Sequence, residues 1–273
     1  MNELLKQLNG ATDFIRNQTS LIPEVAVVIG SGLTDLVKEV RLDAEIDYAA
    51  IPDFPQSTVE GHSGKLLLGV WNKKRVVVMS GRIHYYEGYT MQQVTFPIRV
   101  MKQLGANTIL ITNASGGLNP EIKAGDLMAV TDHINLISEN PLRGKNNDEL
   151  GPRFPDQHAI YDNTLIQKAG EIAERNQIKL HRGVYVGVPG PTFETPAEYK
   201  YMRLIGGDVV GMSTVPEVIV ANHSGMRIFC LSVICDEGNP AIPVKISHED
   251  VVRAAKDAEP RMELILKELL AHL

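Results

Sequence analysis

Arg82 and His84 stand two residues apart in the segment Gly81 to Gly88. In extended chain, residues two apart point to the same side. The pair can therefore grip one oxyanion together, the guanidinium in bidentate fashion. Three further segments carry glycines beside hydroxyls: Gly30, Ser31 and Gly32; Asn113 to Gly117; and Gly211, Met212, Ser213 and Thr214. Each reads as a turn at the C-terminal end of a strand, where ligands of α/β sheets collect. Their backbone N–H groups and hydroxyls can hold an anion. Taken singly, each is also what an ordinary turn looks like. The first is not a dinucleotide fingerprint, because the third glycine of G-x-G-x-x-G would fall at Asp35. Neither a phosphate-cradling G-x-x-x-x-G-K-S/T run nor a G-x-S-x-G elbow occurs. No ligand cluster has metal-binding spacing, so no metal is expected. The residues alone point to an anion-binding α/β enzyme and no further.

The elements that would position these groups alternate along the chain. Leu4, Leu8, Ala11 and Ile15 have helical spacing. Val25 to Ile29 is a short β-branched run that ends at Gly30, as a buried strand entering a turn does. Leu66–Val70 and Val76–Met79 read as strands joined by a polar turn, and Thr108–Thr112 as another buried strand. Met91 to Leu104 reads as a helix, with a kink expected at Pro97. Asp126–Thr131, Val184–Val188 and Ile228–Ile234 complete the strands, and Asn163–Asn176 is helical. Thr195 with Pro196 and Glu198 is a helix start, and Thr214 with Glu217 has the same shape. Ser247 to Asp250 opens a long C-terminal helix, its acids suited to the helix dipole. The fold class is α/β: one domain over 1–273, with a central mixed, mostly parallel sheet flanked by helices. Asn140 to Gln157 lacks periodicity and reads as one long exposed loop, of the kind that often carries function.

Composition narrows the classes. Hydrophobic residues at 44% and charged residues at 22% are ordinary globular values, which argues against disorder. A net charge of −6 argues against a nucleic-acid surface. No apolar run approaches a membrane span, and the N-terminus lacks a signal-peptide core, so the cytoplasm is the expected location. Two cysteines, Cys230 and Cys235, do not make a disulfide scaffold.

In combination the motifs become specific. Gly30 to Leu33, Gly61 to Gly64, Gly81 to Tyr89, Asn113 to Asn119, Asp132 to Leu136, Gly190 to Thr195 and Val210 to Glu217 follow one another in this order. Together they closely resemble the trimeric purine nucleoside phosphorylases, from Val25 to the last helix. The resemblance implies reversible phosphorolysis: phosphate attacks C1′ of a purine nucleoside and releases the base and pentose 1-phosphate. It implies that Ser31, His62, Arg82, His84, Ser213 and the backbone of Ala114 hold phosphate, with His62 in a mobile lid. Tyr86, Met212 and His248 would hold the ribose. Phe193, Glu194, Val210, Asn113 and Asp236 would surround the base. The reaction itself would be carried by His84, Glu194 and Asp236. Phe154, in the long loop, would reach a neighbouring subunit's site and cover the sugar, which implies a homotrimer. Inorganic phosphate is the co-substrate and no cofactor is implied.

One position departs from the resemblance. Where the family usually carries Asn, this chain has Asp236. An ionised Asp cannot donate a hydrogen bond. Protonated, it can donate to N7 of a 6-oxopurine; ionised, it can accept from a 6-amino group. Burial and the companion carboxylate of Glu194 would raise its pKa. The expectation is a preference for inosine and guanosine. The alternative is a 6-aminopurine enzyme acting on adenosine or methylthioadenosine, since methylthioadenosine phosphorylases are close relatives. Two more distant alternatives are a nucleoside hydrolase, which would not need phosphate, and a nucleoside-binding protein without turnover.

Overall fold

The computed structural model describes residues 3–58, 63–237 and 247–273, so His62 lies outside the described residues. In chain order the elements are α1 (Glu3–Arg16), β1 (Val25–Ile29), β2 (Arg41–Asp47), β3 (Lys65–Trp71), β4 (Lys74–Ser80), α2 (Met91–Leu104), β5 (Thr108–Gly117), β6 (Leu127–Asn135), α3 (Asn163–Arg175), β7 (Leu180–Gly187), α4 (Pro196–Leu204), β8 (Val209–Gly211), α5 (Val215–His223), β9 (Arg227–Glu237) and α6 (His248–Leu270). The strands join in one sheet, β2-β3-β4-β1-β5-β8-β7-β6-β9, and β5 also pairs with β9. The five strands from β5 to β9 therefore close a ring. β1 is parallel to β4 and β5, β5 to β9, and β7 to β6 and β8, whereas β2–β3, β3–β4, β5–β8 and β6–β9 are antiparallel. This is the mixed sheet that the alternating pattern predicts. α1 and α5 pack on α2, while α6 packs on β5, β9 and α3.

Local chemistry sets most of the element ends. β1 is buried at every residue, as its unbroken β-branched run requires. Asn72 and Lys73 both take positive φ, which gives the two-residue hairpin between β3 and β4. Thr90, Thr195 and Ser247 cap α2, α4 and α6 through the backbone N–H three residues on. α2 runs unbroken through Pro97. The long loop from Asn140 to Gln157 has no helix or strand, as its composition predicts.

Two expectations change. β2 is not anticipated: five of its seven residues are exposed and its sequence is largely polar, so it has no apolar alternation to read. Asn113 to Gly117 is not a turn but the second half of β5. The glycines are there because this half lies between two strands. Gly116 and Gly117 pair with Val210 and Val209 on one side and with Asp236 and Glu237 on the other. A Cβ on Gly117 would stand 2.9 Å from the Asp236 carbonyl oxygen, so any side chain would force β9 away.

Among the described residues, no helix is long and apolar enough to cross a membrane.

Candidate active site

Three short stretches on neighbouring strands assemble the site. Along β8 into α5, Val210, Met212 and Ser213 follow within four residues. β5 lies beside them with Thr112, Asn113 and Gly116. The segment after β4 supplies Arg82, His84 and Tyr86.

The end at Ser213 is a strained turn at a helix N-terminus. Thr214 has φ +67° and ψ −57°, and the Val215 N–H donates to the Ser213 carbonyl at 2.7 Å. This is a three-residue γ-turn of the strained hand, which persists only when its surroundings hold it. Glu217 accepts from the Thr214 N–H at 3.1 Å, and Asn113 Nδ2 donates to Thr214 Oγ1 at 3.0 Å. The turn sets Ser213 at the N-terminal end of α5, where the helix dipole favours negative charge. Arg82 is only 1% exposed. Its Nη1 donates to Ser213 Oγ at 3.1 Å and to the Thr112 carbonyl at 2.9 Å. Ser213 Oγ thus accepts a charge-assisted bond, and it also lies 3.1 Å from Thr214 Oγ1, where either hydroxyl can donate.

The expected bidentate grip of Arg82 on an oxyanion is corrected here. Its fork faces Glu217, Nε to Oε1 at 3.1 Å and Nη2 to Oε2 at 2.8 Å, with Glu217 only 3% exposed. A charge buried this deeply needs a counter-charge. Glu217 was legible only as a helix-cap residue, and nothing in the sequence pairs it with a residue 135 positions away. Asn113 has a second task as well. Its side chain is buried, with Nδ2 donating to Thr214 Oγ1 and 3.3 Å from Cys230 Sγ, so it supports the turn, while its Oδ1 is buried without a hydrogen-bond partner among the described residues.

His84 is buried beside Arg82 and stacks on Tyr86, with ring centroids 4.7 Å apart. Its Nδ1 lies 3.4 Å from Glu87 Oε1, and its backbone N–H donates to the same oxygen at 2.6 Å. Burial would raise Glu87, but hydrogen bonds from His84 and Thr58 outweigh it and hold the carboxyl at about 2. Burial lowers His84, so its ring is neutral at pH 7. Ser31 sits half-buried in the turn after β1. Gly30 must be glycine because a Cβ there would stand 2.9 Å from the Thr112 carbonyl oxygen, and on Gly32 one would meet the Val252 carbonyl at 2.9 Å. The Ser31 turn is thereby wedged between β5 and α6. His248 begins α6 one turn before Val252, on the same helix face, and is itself exposed. Ala114 follows Asn113 in the ladder opposite Val233 of β9.

The middle of the site is a narrow wall. A Cβ on Gly190 would stand 2.5 Å from Met212 Sδ and 3.0 Å from Tyr86 Cδ1, so these two side chains converge over the bare Gly190 backbone.

The far end holds two carboxyls. The β5–β9 register slips between Ser115 and Gly116, leaving Cys235 unpaired and setting Asp236 opposite Gly116. The carboxyl oxygens of Asp236 lie 3.2 and 3.3 Å from where a Gly116 Cβ would be, with Val210 Cγ1 at 3.4 Å. Asp236 Oδ1 is buried with no hydrogen-bond partner among the described residues. Burial first, and the charge of Glu194 second, raise Asp236 to about 7. Burial also raises Glu194, which is half-buried and hydrogen-bonds to Tyr199. Tyr199, itself raised by burial and by both carboxylates, is a member of this end that the sequence did not single out. Phe193, beside Glu194, is 44% exposed. Phe154 is 87% exposed on its loop, with the Arg153 guanidinium 5.6 Å over its ring.

The arrangement is a polar turn at one end, a sulfur and aromatic wall in the middle and an acidic pocket at the other. That is the layout of an enzyme that places an anion against the sugar of a nucleoside. The family model of the phosphorylase superfamily matches residues 24–271. A purine nucleoside phosphorylase 1 of Bacillus subtilis is 44% identical over 97% of this chain and 98% of its own. The purine nucleoside phosphorylase of Rattus norvegicus is 45% identical over 94% of this chain and 92% of its own. A solved structure of isoform 2 of purine nucleoside phosphorylase from Schistosoma mansoni, in complex with cytosine and ribose-1-phosphate, superposes with a TM-score of 0.93. It is 41% identical and covers 98% of this chain and 96% of that one. The chain belongs to the phosphorylase superfamily, within its purine nucleoside phosphorylase family.

Proposed function

We propose that the chain catalyses reversible phosphorolysis of purine nucleosides, giving free purine and pentose 1-phosphate, with 6-oxopurines preferred. The observation that carries this reading is the run Val210, Met212, Ser213, which sets base wall, sugar wall and anion turn in consecutive order. A phosphate oxygen attacks C1′, the C1′–N9 bond breaks, and its electron pair passes to the purine. The transition state is oxocarbenium-like, as in glycoside hydrolysis. The bound phosphate supplies both nucleophile and negative charge, so the protein needs preorganised donors around it. Ser213, Ser31, the Ala114 N–H and the α5 N-terminus are such donors. Arg82 acts through Ser213, because its ion pair with Glu217 neutralises its charge. A cradle of mostly neutral donors holds phosphate without trapping the product. His84, neutral with Nδ1 turned to Glu87, presents Nε2 to a phosphate hydroxyl. Tyr86, Met212 and His248 hold the ribose, and Phe193 and Val210 flank the base.

Glu194 accepts from N1–H of a 6-oxopurine. The proton on Asp236 goes to N7 as negative charge builds on the leaving base. The unpartnered Oδ1 of Asp236 supports this role, since a buried carboxyl without partners is kept protonated. The same carboxyl supports a second reading. Above about pH 7 it is ionised and accepts from a 6-amino group, which favours adenosine. Phe154, bare in the single chain, covers the sugar of a neighbouring subunit in a homotrimer. Two free buried cysteines suit the reducing cytoplasm as the site of action.

The test is incubation with inosine, with and without phosphate, following hypoxanthine release. Release that requires phosphate is the expected result. Release without phosphate makes the enzyme a hydrolase, and no release with inosine while adenosine reacts makes it a 6-aminopurine enzyme.

A further inference from the structure

The 140–157 loop does more than carry Phe154. With the starts of α1 and α2 it walls a cavity of about 1250 Å³, whose lining includes none of the site residues above. At its floor are Arg99 of α2 and His223, the last residue of α5. Arg99 is 8% exposed, and no carboxylate among the described residues lies within ion-pair distance of it. Its one hydrogen-bond partner among the described residues is His223, with Nη1 3.3 Å from Nδ1. His223 does not balance the charge: burial and the neighbouring guanidinium both lower it, so its ring is neutral. Burial lowers Arg99 itself to about 10. Buried charges are ordinarily paired. The arrangement is also rigid. Gly151 packs against His223: a Cβ there would meet its carbonyl oxygen and stand 2.8 Å from Nδ1. Asn146 Nδ2 ties the loop to the Gly151 carbonyl at 3.0 Å. Asn147, on the same wall, has a buried Nδ2 without a partner among the described residues.

We propose that this cavity is a second anion site, in which Arg99 and Asn147 hold the phosphoryl group of a small phosphate monoester of nucleotide size. Arg99 has N–H donors left after His223 and, as a planar fork, matches a phosphoryl group. Lys145 and Arg143 add positive charge at the mouth and make no ion pair among the described residues. The cavity exceeds what inorganic phosphate fills, since pockets of about 300–1,000 Å³ hold drug-sized ligands. Gln7, Gln92, Gln93 and Thr90 line it, as do the carboxylates of Glu3, Asp53, Asp148 and Glu149. Asp53 accepts from Gln7 at 3.3 Å and Asp148 from Asn146 at 2.7 Å. These groups disfavour a bare polyanion and suit the hydroxyls and amino groups of an ester.

The experiment measures binding of ribose 5-phosphate, guanosine 5′-monophosphate and inorganic phosphate by calorimetry to the full chain and to Arg99→Met, Asn147→Ala and Ser213→Ala. The expected result is monoester binding that survives Ser213→Ala, weakens at least about tenfold in Arg99→Met, as loss of a charge-assisted pair does, and weakens by a smaller factor in Asn147→Ala. Arg99→Met keeps the wild-type KM for phosphate and melts no lower than wild type, because an uncompensated buried charge has been removed. Equal monoester binding in wild type and Arg99→Met overturns the proposal. So does inorganic phosphate binding at the Arg99 site as tightly as the esters. Loss of oligomeric state in Arg99→Met without loss of ligand binding also overturns it, and assigns the guanidinium to a carboxylate of a second copy.

Discussion

Asp236→Asn separates the contribution of one proton to stability from its contribution to specificity. In the folded chain burial and Glu194 raise Asp236 to about 7, whereas an exposed aspartate titrates near pH 4. Between those values the folded chain holds a proton that the unfolded chain has released. The folded state binds more protons, so stability falls as pH rises through this window and levels off above about pH 7. Each decade of proton activity is worth about 1.4 kcal/mol, so three decades give at most about 4 kcal/mol against the ionised form. Solvent access to the partly exposed carboxyl brings the expected figure to about 2 kcal/mol. Asn cannot ionise and escapes this loss. Asp236→Asn should therefore gain on wild type as pH rises from 4 to 7, by about 3–4 °C in Tm, and hold that gain above pH 7. The assay is thermal melting of both proteins at half-unit steps from pH 5 to pH 9. Kinetics on the same samples read the proton's second role. Wild-type kcat/KM for inosine falls about tenfold per pH unit above about pH 7, as required of a group that must be protonated. The variant stays flat, turns inosine over faster at pH 8 and loses any adenosine turnover. A Tm difference that is the same at pH 5 and pH 8 would refute the reasoning, because the carboxyl would then be ionised throughout. Unchanged base selectivity would show that Asp236 does not face the base.

Glu217→Gln leaves Arg82 buried without that counter-charge, one acceptor oxygen remaining, and should destabilise the chain by about 3–5 kcal/mol in urea unfolding; a loss under 1 kcal/mol would mean that Arg82 has another counter-ion. Ser213→Ala removes the donor that Arg82 orients and should raise KM for phosphate about tenfold or more, with KM for inosine little changed. Gly211→Ala places a Cβ 2.2 Å from Tyr185 Oη, so it should lower Tm and reduce kcat together; an unperturbed variant would show that β8 can shift away from β7. If the chain is a trimer by light scattering, Phe154→Ala should raise KM for nucleoside but leave KM for phosphate unchanged, and a monomeric wild type would remove the role given to Phe154.

Regular elements with strong apolar patterns were legible residue by residue. β1 and α2 begin and end where their runs do, because a buried strand and an amphipathic helix each need their own periodicity. The helix starts at Thr195 and Ser247 were legible because a capping box is local chemistry. β2 was not, since a mostly exposed polar strand leaves no pattern, and the second half of β5 was misread because its glycines answer to strands far away in sequence. In the site, the types and order of Arg82, His84, Glu194, Ser213 and Asp236 were legible. The closeness of Glu194 and Asp236 was anticipated from the resemblance, and the raised carboxyl follows from it. The partners were not legible: Glu217 for Arg82, Glu87 for His84 and Tyr199 for Glu194.

The sequence by itself determined the α/β class, the boundaries of its apolar strands and helices, and the chemical kinds of group available for phosphate, sugar and base. These depend on side-chain type and on periodicity within a few residues. The tertiary structure decided which donors remain open and which are committed. Arg82 lost its fork to Glu217, Asn113 turned inward to Thr214, and a register slip at Cys235 aimed Asp236 at the pocket without a partner. Each of these depends on pairs brought together across the fold, where burial removes the water that would otherwise satisfy every polar group equally.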